Sequence, residues 1–600
     1  MAAYFRTPYE WIARVILFVL ILWCARIIRT TYQMSGEPLS SSADTHGRTK
    51  AAPILTGLWS VVFSLFVIMG YHLSIKKAYS GTASQNVILP YTLADLAAFV
   101  LISAGCFLLS YGLYLFLTGP HTRGFSFPLK KPASRRILFL VLFLYYVPYL
   151  LIYWPGLIMG DSIISIDQAL GWTPLTIAHP ILYTLFIRLC LSIGHLFEQG
   201  NTVGCVIYCI LQMAYLAFGF STLIVWVCAR VKHSRLWAFI LCLFFGANPY
   251  IASYSTVMWK DPIFSVSLLL LTLCIYDFLH TTDSGISMRK WLYFSILTAL
   301  TLASRSNGFY ALLVVEASLI LTVFCLRISA SVGNACIKKT VLTMTVLMAM
   351  LLLSSRIIHG PVYRSFGISE KKEEGVGLFL NQMARATVLG SISEDDAAYM
   401  NEMLPLELYP EVYTPCCIDN LKWHQQFDTQ AMTNDFWKHW LSMLRSNPKL
   451  YLESWELQTC GFWAVNVEAV NTYTRNIVSS TQPKNLAKNG TDELKRCHIQ
   501  AQNLLRSDFW QTIFPLNDWF IPVSWITWLI LLLAVYLLCA EPKRSLAALI
   551  SLTPSAGLLL SLLIGTPIWY WPRYGATVQF LLPFYCILFL SLKGQPKTNS

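Results

Sequence analysis

Charge is what this sequence has least of. Charged residues fill 12% of its 600 positions, about half the roughly 25% of an ordinary soluble chain. So few cannot coat a folded body of this size in water, which excludes a soluble globule and makes lipid the solvent for much of the chain. Acidic residues are the scarcer sign, 31 against 44 basic ones, for a net charge of +13. In a soluble protein that excess would suggest nucleic acid. Here the basic residues form short clusters between apolar runs, as cytoplasmic membrane loops do, and nucleic-acid binding is set aside.

Metal-type cysteine spacing is missing as well. Most of the 16 cysteines, such as Cys106, Cys190, Cys205, Cys209, Cys228, Cys242 and Cys274, lie inside apolar runs and read as small hydrophobes. Cys416, Cys417, Cys460 and Cys497 fall in a polar stretch, where a disulfide is open but its pairing is not deducible. The first apolar run, 15–24, follows Arg6 and Arg14 with no small-residue cleavage site, so it reads as a retained helix rather than a signal peptide. No internal repeat is present.

What the chain does have is apolar length. Runs long enough to cross a bilayer lie at 11–29, 52–72, 92–118, 136–154, 203–229, 236–253, 262–279, 291–305, 308–327, 340–357, 521–540, 545–564 and 575–592. The run 177–196 is ambiguous, and charge decides it. If it lies along the outer surface, one side collects the clusters Arg123/Lys130/Lys131/Arg135/Arg136, Arg230/Lys232/Arg235, Arg289/Lys290, Arg327/Lys338/Lys339, Lys543/Arg544 and Lys593/Lys597. If it crosses, the first cluster opposes all the others, against the positive-inside rule. The expectation is an all-α membrane bundle of about 13 transmembrane helices, multi-pass in the cell membrane. Three accessory helices occupy 1–130, a transmembrane core 131–357, a mixed or α-rich extracytoplasmic domain 358–520, and C-terminal helices 521–600. Residues 155–202 form the first large outer loop, with a surface-lying helix behind it, and 30–50 a flexible cytoplasmic one.

Ionisable residues on the outer side sit at helix ends rather than mid-span. A helix ends in Pro155-Gly156, and Asp161-Ser162 follows. Asp161 suits a helix cap or, partly desolvated with a raised pKa, a general base. His179-Pro180 opens the surface-lying run, an ordinary helix start or a substrate or metal contact. In Trp259-Lys260-Asp261 the charged pair is an interfacial anchor or a phosphate-facing cation beside a second carboxylate. Arg305, before Ser306-Asn307-Gly308, is a snorkelling residue or a costly, functional charge at membrane depth. Arg573, between Pro572 and Tyr574, is a belt anchor or a phosphate clamp. Together they supply one or two carboxylates, a histidine and three cations at one membrane face, the inventory for handling a phosphate leaving group next to lipid.

In this arrangement the chain resembles the GT-C superfamily of integral-membrane glycosyltransferases over roughly 136–592. Within it, the likeness is to bacterial members related to the protein mannosyltransferases and the aminoarabinose transferase, in a poorly characterised Gram-positive group. The resemblance implies a polyprenyl-phosphate sugar donor with its head at the outer face and a glycan, lipid or protein acceptor in the cell envelope. Asp161 would be the catalytic base of an inverting transfer. Arg573, Arg305 and Lys260 would stabilise the departing phosphate, with His179, Asp261, Asn307 and Tyr574 lining the substrate. Ser162 stands where the family's paired signature has Glu, which argues against a protein mannosyltransferase proper. Some relatives use a divalent metal; Mg or Mn held by Asp161, Asp261 and His179 is an open option without clean ligand spacing. A lipid-linked saccharide transporter or flippase, a glycan polymerase or ligase, and a partner-binding membrane protein are the competing readings.

Overall fold

The computed structural model describes residues 51–76, 91–118, 134–158, 160–176, 179–280, 286–328, 334–368, 375–432, 435–466, 521–540, 542–568 and 572–592. Among them the regular structure is helical, and the only β pairs are isolated bridges. The expected helix at 11–29, the loop 30–50, Lys130 and Lys131, Cys497 and the terminal Lys593/Lys597 lie outside the described residues.

The first two helices are α1 (Ala52–Lys76) and α2 (Leu93–Thr118). The core follows as α3 (Arg135–Ile152), α4 (Gly160–Ala169), α5 (Ile181–Gly194), α6 (Gly200–Cys228), α7 (Ser234–Ala247), α8 (Pro249–Thr256), α9 (Lys260–His280), α10 (Met288–Ser304), α11 (Ser306–Ile328) and α12 (Asn334–Leu352). Next come α13 (Gly377–Leu389), α14 (Glu394–Met403), α15 (Phe436–Ser446) and α16 (Pro448–Thr459). The chain closes with α17 (Val523–Cys539), α18 (Pro542–Gly565), α19 (Ala576–Phe580) and α20 (Leu582–Ser591).

Seven of these stretches are long and apolar enough to cross a membrane: α1, α2, α6, α9, α11, α18 and the run Arg573–Ser591. The protein is a multi-pass membrane protein whose surroundings are a lipid bilayer. Expected span 236–253 is broken, because α7 and α8 meet at a 55° bend. The cause is local: Pro249 has no amide hydrogen to continue α7, and Asn248 caps α8 by accepting from the Tyr250 amide at 3.0 Å. The run 340–357 likewise passes from α12 into a π-helix, Leu353–Val362. The expectation that ionisable groups keep to helix ends is corrected by Glu316, buried in the middle of α11.

A single large apolar core joins α3 through α12 to α17–α20. α1 and α2 dock on its side through α17, where Trp528 meets the rings of Phe63 at 5.0 Å and Phe66 at 5.3 Å. The segment 375–466 has its own core around Leu380, Met383, Met400 and Met443. It is helical in its described parts, the α-rich option of the two expected. A buried ion pair, Arg385 to Glu453 at 2.7 Å, braces α13 against α16. Cys416, Cys417 and Cys460 are free thiols.

Candidate functional site

The loop after α3 is stitched to the segment after α8. Leu157 donates its amide to Thr256 O, and Met258 donates to Leu157 O, each at 3.0 Å. Gly156 permits this approach with φ of 134°, where a Cβ would collide with the Cys209 thiol. The last turn of α8 and the irregular stretch 257–259 after it have carbonyls that no helix satisfies, and inside a bilayer each would be costly. Side chains supply the donors. Gln212 reaches Ser255 O at 2.9 Å and Val257 O at 2.6 Å. Ser162 and Tyr183 both reach Met258 O at 2.5 Å, and Tyr208 reaches Trp259 O at 2.9 Å.

This stitching sets the start of α4 beside the start of α9. Lys260 Nζ lies 3.4 Å from Asp161 Oδ2 and 2.8 Å from His179 Nδ1. Arg573 NH1, in the turn Pro572–Gly575 ahead of α19, lies 3.1 Å from the same Asp161 oxygen and 3.8 Å from Asp261 Oδ2. Arg305 occupies an extended break between α10 and α11, with φ of −155°, and pairs with Asp261 Oδ1. Aromatic faces hold the guanidiniums: Arg573 stands 4.3 Å from the Trp259 ring, and Arg305 4.4 Å from the Tyr574 ring. Five chain regions, the outermost 412 residues apart, thus meet in one cluster.

The cluster holds three cations against two carboxylates, leaving one positive charge in excess. Asp261 is fully buried, whereas the Asp161 side chain is 28% exposed. The carboxylate open to solvent is therefore the one shared by Lys260 and Arg573. The expectation that Asp161 has a raised pKa is overturned. Burial pushes it up, but Arg573, then Lys260 and His179, outweigh burial and hold the carboxyl well below its usual range. An anion that drew the two cations away would reverse that balance.

One further expectation changes, and one open option is settled by the side-chain chemistry. Asn307 donates to Ser561 Oγ at 2.9 Å, tying α11 to α18 rather than joining the cluster. The proposed metal ligands Asp161, Asp261 and His179 do not fit a divalent ion. Each carboxylate is occupied by a cationic side chain, and no three His, Cys, Asp or Glu residues gather into a metal-holding group among the described residues. The clamps Gln212, Tyr183 and Tyr208 escaped the sequence reading. Gln212 inside the apolar run 203–229 was the one visible signal, a polar group that lipid would not tolerate unpaired.

The helical segment 375–466 grips the strand-like stretch that leads to Arg573. Gln458 donates to Thr566 O at 2.7 Å, Ile418 to Pro567 O at 3.0 Å, and Cys417 bridges Ile568. Trp455 adds a bond to Leu563 O at 2.9 Å.

No curated protein and no solved structure matches this chain. A family model matches residues 171–600, which takes in His179, Lys260, Asp261, Arg305 and Arg573 and begins just after Asp161. With more than two thirds of its length matched, the chain belongs to that family, described as a family of unknown function, DUF6020.

Proposed function

We propose that this protein is a membrane glycosyltransferase that moves a sugar from a polyprenyl-phosphate donor to a cell-envelope acceptor. The observation that carries the reading is Asp161, a half-open carboxylate lying between Arg573 and Lys260 at the ends of membrane helices. The donor phosphate competes with Asp161 for those two cations. Once it takes them, the carboxylate loses its partners and gains an anionic neighbour, so its pKa rises toward that of a working base. Asp161 then accepts the proton of an acceptor hydroxyl as that oxygen attacks the anomeric carbon. The bond from that carbon to the phosphate oxygen breaks with inversion, and polyprenyl phosphate leaves with its charge held by Arg573, Lys260 and Arg305.

The orientation belongs to the same proposal. Helices α3, α10, α12 and α17 also cross, and α5 lies along the outer surface. The basic pairs Arg135/Arg136, Arg289/Lys290 and Lys543/Arg544 open α3, α10 and α18, whereas the cluster forms beyond the opposite ends of those helices. Positive charge on the cytoplasmic side then puts the cluster outside. The test is transfer from lipid-linked donor by Asp161→Asn, which abolishes it with expression and folding intact; near-normal transfer removes the base assignment. A saccharide-lipid transporter is the second reading, favoured by one observation, the mid-span Glu316.

A further inference from the structure

Glu316 sits at the eleventh position of the 19-residue span Ser306–Phe324. It is 2% exposed, and both of its carboxylate oxygens are buried without a hydrogen-bond partner among the described residues. An ionised carboxylate in that setting carries a desolvation cost far beyond what packing of one helix returns. The group is therefore held as the neutral acid, with its proton.

Among the described residues nothing substitutes for the proton. α11 packs against α10, α12 and α18. The charged residues of those helices are Arg289 and Lys290 on α10, Lys338 and Lys339 on α12, and Lys543 and Arg544 on α18, all near helix ends, with Tyr293 and Cys336 the uncharged titratable groups of α10 and α12. None is ion-paired with Glu316 among the described residues. The face of α11 toward α18 is fixed by Asn307, whose amide bonds Ser561, and by Ala311, whose Cα is 2.8 Å from where a Cβ on Gly557 would stand. Glu316 lies roughly half a turn round the helix from that face, on the side of α10 and α12. Its loss of a proton can be accommodated only if water enters there, and α11 begins at the residue after Arg305.

We propose that Glu316 is a proton-binding site in the membrane interior: the carboxyl holds a proton while α11 is packed, and releases it to water when α11 separates from its neighbours. This stands apart from the sugar-transfer reading and needs no donor for its test.

Infrared spectra of the full-length protein in lipid nanodiscs, wild type minus Glu316→Gln, make the measurement. At neutral pH the difference contains an acid carbonyl stretch. The band gives way to carboxylate as pH is raised and returns when pH is lowered. Spectra that superpose at neutral pH mean an ionised, partnered group and overturn the proposal. A band that persists unchanged to the alkaline limit of the folded protein means a sealed structural acid and overturns it equally. Should Glu316→Gln not fold, a hydrophobic carbodiimide is applied to the wild-type protein, because it adds only to a protonated carboxyl. The expected result is an adduct on the peptide containing Glu316, formed at neutral pH and suppressed several-fold as pH rises. No adduct, or one formed at the same rate at every pH, contradicts proton exchange at this position.

Discussion

At the scale of single residues, the proposed transfer is a competition for two cations. Asp161 occupies Arg573 and Lys260 when nothing else does, and the low pKa this imposes keeps it ionised across roughly pH 5 to 8. Replacing Arg573 removes the group with a planar fork suited to phosphate. Arg573→Ala is expected to lower turnover about 10²- to 10³-fold and to weaken donor use more than acceptor use, as separate KM measurements for the two substrates would reveal. Equal losses on both would leave Arg573 as a structural anchor stacked on Trp259. Arg573→Lys is expected to recover part of the activity, because it restores charge without the fork.

Elements decide whether these residues meet. The link between 157 and 257 depends on an irregular segment whose carbonyls are satisfied by Gln212, Ser162, Tyr183 and Tyr208. Gln212→Leu strands the carbonyl of Ser255 and leaves Val257 O with the Trp259 amide alone, and is expected to cost about 1–3 kcal/mol in stability, measured as a fall in the unfolding midpoint of the detergent-solubilised protein. A midpoint equal to wild type would mean that water replaces the amide. The helical segment makes a second prediction at this scale. Burial, then the charge of Glu453, raises Glu456 to about 8 against the opposing Arg385. A raised carboxyl stabilises the fold in its protonated form, so that contribution is full in acid and is lost as pH climbs through about 8. Thermal stability of the full chain should fall between about pH 4.5 and pH 8 and level off above it, and the fall should shrink in Glu456→Gln. An identical pH profile in the variant would contradict it.

The same elements mark what a reader of the sequence can and cannot obtain. Apolar runs such as 52–72 and 92–118 announced α1 and α2, because lipid selects on length and composition alone. Asp161, Lys260, Arg305 and Arg573 were visible as charges at helix ends. The direction of the Asp161 shift was not, since it depends on which cations fold back onto it from beyond residue 259. Asn307, two residues after Arg305, looked like part of the site, but the first turn of α11 directs it to Ser561. Glu316, a lone acid inside the run 308–327, was passed over in favour of charges at helix ends, and its burial and want of hydrogen-bond partners among the described residues show only in the fold.

At the scale of the whole molecule, the N-terminal pair α1–α2, the helical segment 375–466 and the core all converge on the chain around 521–576. α1 and α2 lean on α17, and Gln458, Trp455 and Ile418 hold the residues that run up to Arg573. The helical segment is thus a brace for the stretch that leads to Arg573. The account as a whole rests on Asp161 and a phosphate sharing the same partners, and one comparison tests it most directly: purified wild type and Asp161→Asn, each given labelled prenyl-phosphate sugar and an acceptor preparation, followed for donor bound and donor cleaved. The prediction is that Asp161→Asn binds donor at least as tightly as wild type, having lost the competing anion, yet leaves it intact. Weaker binding by the variant, or cleavage at the wild-type rate, would contradict it.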